Sequence, residues 1–256
     1  MLDQITPLII TYNEAPNIRR TLDKLVWARR IMVIDSGSTD ETLEILRAYR
    51  QVTVIQHPFK DFADQCNFGL MQIASHWVLS LDADYELSDE LVREMKNLEP
   101  ADKIVGYRVR FVYRIYGNPL RGTLYPPRIV LYRKALAAYR NEGHGHRVFV
   151  DGDVLELNGL IFHDDRKPLA RWLSSQKRYA REEARYLVET RRGNLTKIDK
   201  IRRMGWPAPF MVLFYTLLVK GCILNGWAGW YYVLQRVLAE LLIALEIGDR
   251  RLRGDA

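Results

Sequence analysis

The chain has 256 residues, 48% of them hydrophobic and 27% charged, with a formal net charge of +7. That length and apolar content suit one large domain or one domain with an appendage, and they exclude a disordered or low-complexity chain. Cys66 and Cys222 stand far apart without metal-site spacing and are expected as free thiols in a reducing compartment, and the opening stretch MLDQITPLIITYNE lacks the basic start of a signal peptide.

The first hundred residues alternate strand and helix patterns. PLIITY (7–12) reads as a short strand, followed by a helical stretch from Ala15 to Leu25. RIMVIDS (30–36) is a second strand, and STDETLEILRAYR (38–50) a helix for which Ser38 and Glu41 make a capping box. VTVIQH (52–57) is a third strand, FADQCNFGLMQIA (62–74) a helix, HWVLSLDAD (76–84) a fourth strand, and SDELVREMKNL (88–98) a helix with Ser88 as its N-cap. Near-continuous apolar strands separated by helices predict a parallel sheet covered on both faces, with ligands bound beyond the carboxyl ends of the strands. Polar groups collect there: Thr11, Tyr12, Asn13 and Glu14 after the first strand, Asp35 to Ser38 after the second, Asp82 and Asp84 after the fourth. Any one of these alone is a cap or turn. Three at one sheet edge predict a binding cleft.

From Lys103 the pattern becomes alternation, with GYRVRFVYRIYG (106–117), RIVLYRK (128–134), HRVFVDG (146–152) and LELNGLIFHD (155–164) extending the sheet as mixed strands. A polar helix is predicted over 168–192, ended by Gly193.

Charge is unevenly spread. Residues 1–165 carry 20 basic and 23 acidic side chains, residues 166–203 carry 13 and 4, and residues 204–256 carry 5 and 4. A basic stretch directly before an apolar one points to an anionic membrane surface rather than to nucleic acid. Residues 204–219 and 221–235 contain no charge, Lys220 interrupts them, and Gly221, Gly226 and Gly229 break the junction. The last helix places Trp230, Val233, Leu234, Val237, Leu238, Leu241, Leu242 and Leu245 on one stripe. Two readings stand: a helical hairpin packed on the sheet or in a homo-oligomer interface, or a monotopic anchor with Trp206, Trp227, Trp230, Tyr231 and Tyr232 at the headgroup level.

Two aspartates one residue apart repel each other unless a cation lies beside them. Mg²⁺ or Mn²⁺ takes one or two carboxylates together with substrate phosphates and water, so Asp82-Ala83-Asp84 suggests a divalent cation completed by a diphosphate. If the strand stays extended through Asp84, both carboxylates face the same way.

PLIITYNEAPNI, VIDSGSTDET, QCNFGL and WVLSLDADYEL, in this order over the first hundred residues, resemble the successive motifs of family 2 glycosyltransferases with the Rossmann-like GT-A fold. GHGHRVFVDG, HDDRKPLARWL and the PFMVLFYTLLVKG tail resemble the subgroup that builds the lipopolysaccharide inner core. The resemblance implies an α/β domain over 1–165 with a mostly parallel mixed sheet flanked by helices. A basic helical linker would follow over 166–203, then an amphipathic membrane-associating extension over 204–256. It implies transfer of a glucose-like sugar, with inversion, from a nucleotide-diphosphate donor to a glycolipid acceptor at the cytoplasmic face of the inner membrane.

Carried onto this sequence, the motifs make Thr11, Tyr12 and Glu14 line the nucleotide site. Asp35 bonds uracil or ribose, Asp64 and Asn67 face the donor, Asp82 contacts ribose or sugar, and Asp84 binds Mg²⁺ or Mn²⁺. Cys66 stands where the subgroup often has a basic residue. The general base falls in NEGHGHRVFVDG, on His146 or Glu142, with His144, Asp164 and Asp165 as further candidates. Histidines 144, 146 and 163 leave a zinc site open, and Arg128, Arg147 and Arg166 are candidate diphosphate contacts. Two rivals remain at this point: a catalytically silent nucleotide-sugar-binding protein at the membrane surface, and a metal-dependent phosphohydrolase. The second expects its D-x-D on the first strand and a Thr or Val where Glu86 stands.

Overall fold

The computed structural model describes residues 1–142 and 145–254, and the side chains of residues 142–146 lie outside the description. The strands are β1 Ile5–Thr11, β2 Ile31–Asp35, β3 Val52–Gln56, β4 Trp77–Asp82, β5 Tyr85–Leu87, β6 Ile104–Ile115, β7 Asn118–Pro119, β8 Arg128–Arg133, β9 Ala137–Glu142, β10 Gly145–Val150 and β11 Asp153–His163. The α-helices are α1 Ile18–Asp23, α2 Thr42–Arg47, α3 Phe62–Met71, α4 Asp89–Lys96, α5 Leu169–Glu189, α6 Lys197–Met204, α7 Pro207–Phe214 and α8 Gly226–Arg253. The chain divides into two compact units, residues 1–114 with 125–166, and residues 115–124 with 167–256.

The first unit is α/β. Its sheet runs β3-β2-β1-β4-β8-β6-β11-β5. β1, β2, β3 and β4 are mutually parallel, as are β6 and β11, while β8 is antiparallel to both β4 and β6. The mixed, mostly parallel sheet flanked by helices is therefore present as expected. β9 and β10 form a separate antiparallel hairpin. The apolar runs of β1, β2 and β4 face helices on both sides: Ile9, Ile31, Val33, Leu79 and Leu81 enter one core, Leu8, Met32, Ile34 and Val78 the other. Gly69 in α3 permits that packing, because a Cβ there would lie 2.5 Å from the Leu8 side chain.

Register aligns the strand ends. Thr11 pairs with Asp35 and Ile10 with Asp82, so the carboxyl ends of β2, β1 and β4 lie side by side. Of two capping expectations, one is corrected and one is met. Ser38 does not cap α2, whose N-cap is Glu41 with no side-chain bond, because Ser38 is taken up by Asp35 and Asn13. Ser88 does cap α4, accepting from the Leu91 amide at 3.1 Å.

The second unit is helical. Residues 166–203, expected as a basic helical linker, fold mainly as α5 and α6, and this stretch shares a core with α8 built on Ala180, Ala184, Leu187, Leu195, Ile243 and Ile247. The small side chains of Ala180 and Ala184 allow close helix approach. Arg202 of α6 is held between two buried carboxylates, Glu240 at 3.0 Å and Glu183. Burial alone lowers the Arg202 pKa, but Glu240 and then Glu183 outweigh it and the net shift is upward.

The expected apolar stripe of α8 is split. Val233 is buried, together with Tyr232, Ile243 and Ile247, whereas Trp230, Leu234, Leu238, Leu241 and Leu245 are 36–68% exposed. α7 and the π-helical turn after it add Trp206, Phe210, Phe214 and Leu218 at four-residue spacing, all more than half exposed. Among the described residues no single helix is long and apolar enough to cross a membrane. Only the pair Pro207–Val219 and Cys222–Arg253, bent by 68°, passes that test together.

Candidate active site

The β1–α1 and β2–α2 loops are locked to each other at the carboxyl edge. Asn13 adopts a positive φ of 56°. From there its amide donates to Ser38 Oγ at 2.7 Å and its Oδ1 accepts from the Thr39 amide at 2.7 Å. The Glu14 amide donates to Thr42 Oγ1 at 2.7 Å, and the Glu14 carboxylate accepts from Asn17 Nδ2 at 2.9 Å. Tyr12 is 53% exposed between them.

Asp35 organises this turn. It is fully buried, and its oxygens accept from Thr11 Oγ1 (3.1 Å), Ser38 Oγ (2.5 Å) and the amides of Gly37 and Ser38 (both 2.9 Å). A carboxylate has about four lone-pair sites, and four donors fill them. Asp35 is thus arranged to shape the loop, and a direct bond from a donor nucleoside requires one of those partners to leave.

The two residues expected to face the donor from α3 both have protein partners. Asn67, expected to face the donor, spends its amide on β9: Nδ2 donates to the Tyr139 carbonyl at 3.0 Å and Oδ1 accepts from the Tyr139 amide at 2.9 Å. Asp64 lies 3.0 Å from His57 Nε2, and that imidazole stacks on Phe68 at 3.9 Å. Cys66 is buried, with its thiol pKa raised by burial and then by Asp82.

Strand β4 ends at Asp82, and Ala83 and Asp84 form a turn. The extended conformation does not persist, so the two aspartates do not lie on one strand face. Asp82 is half-buried and has no hydrogen-bond partner among the described residues. Asp84 is 7% exposed and sits 3.1 Å from His163 Nε2. That meeting depends on β5, which the sequence reading did not include. Tyr85 pairs with His163 across β5 and β11, and the Asp164 amide donates to the Asp84 carbonyl at 3.2 Å. Aromatic rings enclose the imidazole: Tyr113 at 4.2 Å, Tyr85 at 5.2 Å and Tyr125 at 5.6 Å. Burial alone lowers the His163 pKa; the charge and hydrogen bond of Asp84, with Asp82 and Asp165 behind them, outweigh it, and the net shift is upward. Arg128 stacks over Tyr125 at 4.3 Å, close enough to Asp82 for their charges to interact.

The HDDR stretch is clamped. Asp164 is fully buried between Arg166, at 2.8 Å, and Arg20, at 3.3 Å. Arg20 also pairs with Glu86 and donates to Asn17 Oδ1 at 2.8 Å, while Asn17 Nδ2 donates to Asp165 at 2.9 Å. Both guanidinium groups are bonded to the Asp164 carboxylate, so Arg166 is engaged with a protein carboxylate. Of the other candidates, Arg147 is an exposed residue of β10, and His144 lies outside the described residues. Glu142 and His146 have backbones at the end of β9 and the start of β10, paired with Gly145 and Asn141, but their side chains lie outside the described residues. No three His, Cys, Asp or Glu side chains converge among the described residues, so a zinc site of protein ligands is not formed there.

The residues present do fit a hard divalent cation with few protein ligands. Asp84 Oδ2 and His163 Nε2 converge at 3.1 Å, and this pair of donor atoms would hold such a cation together with substrate phosphate and water. His163 was read from the sequence only as a potential zinc ligand, and nothing local in the sequence shows that it meets Asp84.

Comparison with known proteins places this site in a family. An uncharacterized glycosyltransferase of Rickettsia typhi is 27% identical over 204 residues, covering 73% of this chain and 69% of its own length. The lipopolysaccharide core biosynthesis glycosyltransferase LpsC of Rhizobium meliloti is 32% identical over 111 residues, 41% of each chain. Among solved structures, S. aureus TarS 1-349 in complex with UDP-GlcNAc superposes with a TM-score of 0.48 at 15% identity, covering 98% of this chain and 92% of its own. The model of glycosyl transferase family 2 matches residues 7–149, more than half of the sequence, and the chain belongs to that family.

Proposed function

We propose that this member of the family transfers a glucose-like sugar, with inversion, from a nucleoside diphosphate sugar to a hydroxyl of a membrane-resident glycolipid of the lipopolysaccharide-core type. The observation that carries the reading is the meeting of Asp84 and His163 beyond β4, on the sheet edge where Thr11, Tyr12 and Glu14 also end. Asp84 and His163 would hold Mg²⁺ or Mn²⁺, which when bound offsets the negative charge developing on the departing diphosphate. The exposed Tyr12 offers a face for the nucleoside base, and the buried Asp35 keeps its loop in shape. Asp82, which has no hydrogen-bond partner among the described residues, is left to accept hydrogen bonds from ribose or sugar hydroxyls. Arg128, braced on Tyr125, is placed for a phosphate oxygen.

For the base we retain the β9–β10 hairpin, on Glu142 or His146. The clamping of Asp164 supports this choice, as does the anchoring of the hairpin: Tyr139 Oη donates to Ser80 Oγ at 2.7 Å, two residues before Asp82. The exposed apolar residues of α7 and α8 support a monotopic seat at the cytoplasmic face of the inner membrane, where a glycolipid acceptor lies. The relative LpsC, which is named for core biosynthesis, agrees with that acceptor class. Incubation with radiolabelled nucleotide sugars, Mn²⁺ and core glycolipid tests the reading. Label should move to lipid, with inverted anomeric configuration, and stop with EDTA. Donor binding with no transfer to any glycolipid would instead favour a silent binding protein.

A further inference from the structure

The segment 166–203 carries 13 basic and 4 acidic side chains. Two of those acids are used inside the helical unit: Glu183 pairs with Arg202, and Asp199 completes the capping box of α6 with Thr196. The cations are not all used this way. Among the described residues Arg192, Lys200 and Arg203, joined by Arg251 of α8 and by Met204, line one cavity of about 250 Å³. Among the described residues none of the four forms an ion pair with a carboxylate.

Part of this cluster serves the helices. Arg203 donates to the Thr190 carbonyl at 3.1 Å and Arg251 to the Arg203 carbonyl, so both guanidinium groups sit at helix C-termini, where the backbone dipole favours positive charge. That accounts for two of the four and also fixes their direction. It does not account for Arg192 and Lys200, which are exposed and add like charge to the same cavity. Like charges gathered within a few ångströms repel, and a dianion with several acceptor oxygens removes that repulsion while matching the guanidinium fork. Met204, 53% exposed, forms part of the wall, and Trp206, 71% exposed, follows two residues later.

We propose that the cavity lined by Arg192, Lys200, Arg203 and Arg251 binds a phosphate group, supplied either by a lipid headgroup or by a phosphate compound in solution. The site is separate from the sugar-transfer reading and stands or falls independently of it.

The test compares the full-length protein with Arg192→Gln/Lys200→Gln, whose side chains make no hydrogen bond among the described residues, and with the control Arg178→Gln/Arg185→Gln, which removes the same charge from exposed positions of α5. Flotation is measured with phosphatidylcholine vesicles, with and without phosphatidic acid, and the melting temperature is followed against inorganic phosphate. The cavity variant should lose about thirtyfold in affinity for phosphatidic acid vesicles and the control less than about threefold. Binding of nucleotide sugar should stay unchanged in both. A loss confined to vesicles identifies the lipid headgroup as the source. A phosphate-induced rise in melting temperature that the cavity variant also loses identifies the soluble source. Equal losses in the two variants, or a wild-type protein indifferent to both phosphatidic acid and phosphate, would overturn the site.

Discussion

The two units treat charge in opposite ways. In the α/β unit, ion pairs and backbone donors satisfy the charges that shape the sheet edge. Asp35 has four donors and Asp164 has two guanidinium partners, which leaves Asp82 as a half-buried carboxylate without a hydrogen bond among the described residues. In the helical unit the interior is equally well paired, around Arg202, but the surface keeps unpaired cations and a broad exposure of Trp, Phe and Leu. Folding alone disfavours exposed apolar area of this extent. The difference shows where each unit keeps its capacity for ligands: at one acidic strand end in the first, over a basic and apolar surface in the second.

That contrast can be broken experimentally. Asp84→Asn removes the carboxylate beside His163 and should lower turnover by about 10³-fold or more, with secondary structure by circular dichroism unchanged. Near-normal turnover would mean that the acidic strand end is structural. Arg202→Leu leaves Glu183 and Glu240 buried without their cation and should destabilise the protein by about 3–5 kcal/mol in urea unfolding. A loss below 1 kcal/mol, by the same estimate, would show that water already reaches those carboxylates.

Phe214→Glu with Trp227→Glu places charge on the exposed apolar surface. It should weaken vesicle binding by on the order of 100-fold while leaving the melting temperature unchanged. A fall in melting temperature without loss of vesicle binding would assign that surface to protein packing.

Two smaller effects sharpen the comparison. A Cβ at Gly229 would lie 1.8 Å from the Cys222 carbonyl oxygen. Gly229→Ala should therefore cost about 1–3 kcal/mol through forced separation of α8 from the Cys222–Asn225 turn. Lys24→Ala removes an exposed pair with Asp89 at 3.0 Å and should change stability by no more than about 1 kcal/mol. A larger cost in that second case would contradict the view that surface pairs contribute little beside the buried ones.

Much of the α/β unit was legible along the chain. Strands 5–11, 31–35, 52–56 and 77–82 fall within a residue or two of the apolar runs that predict them, because a strand buried on both faces needs continuous apolar residues and little else does. Polar side chains at their carboxyl ends were legible for the same reason, since a buried run must stop where polar groups begin. The site's finer geometry was not. Asn67 looked free to meet a ligand and is bound to the Tyr139 backbone, a partner far along the chain. The eight apolar positions on one stripe of the last helix could not reveal which of them would be covered, since neither α5 nor α6 announces in its own sequence the neighbour it packs against.

The sequence by itself determined the strand–helix alternation, the acidic end of the fourth strand and the concentration of positive charge after residue 165, since local periodicity and composition are properties of the chain. Only the tertiary structure decided that His163 meets Asp84, that Thr11 reaches Asp35 and Arg20 reaches Asp164, and that four cations share one cavity. Each of these joins residues separated by tens of positions, and such contacts are fixed by register and packing.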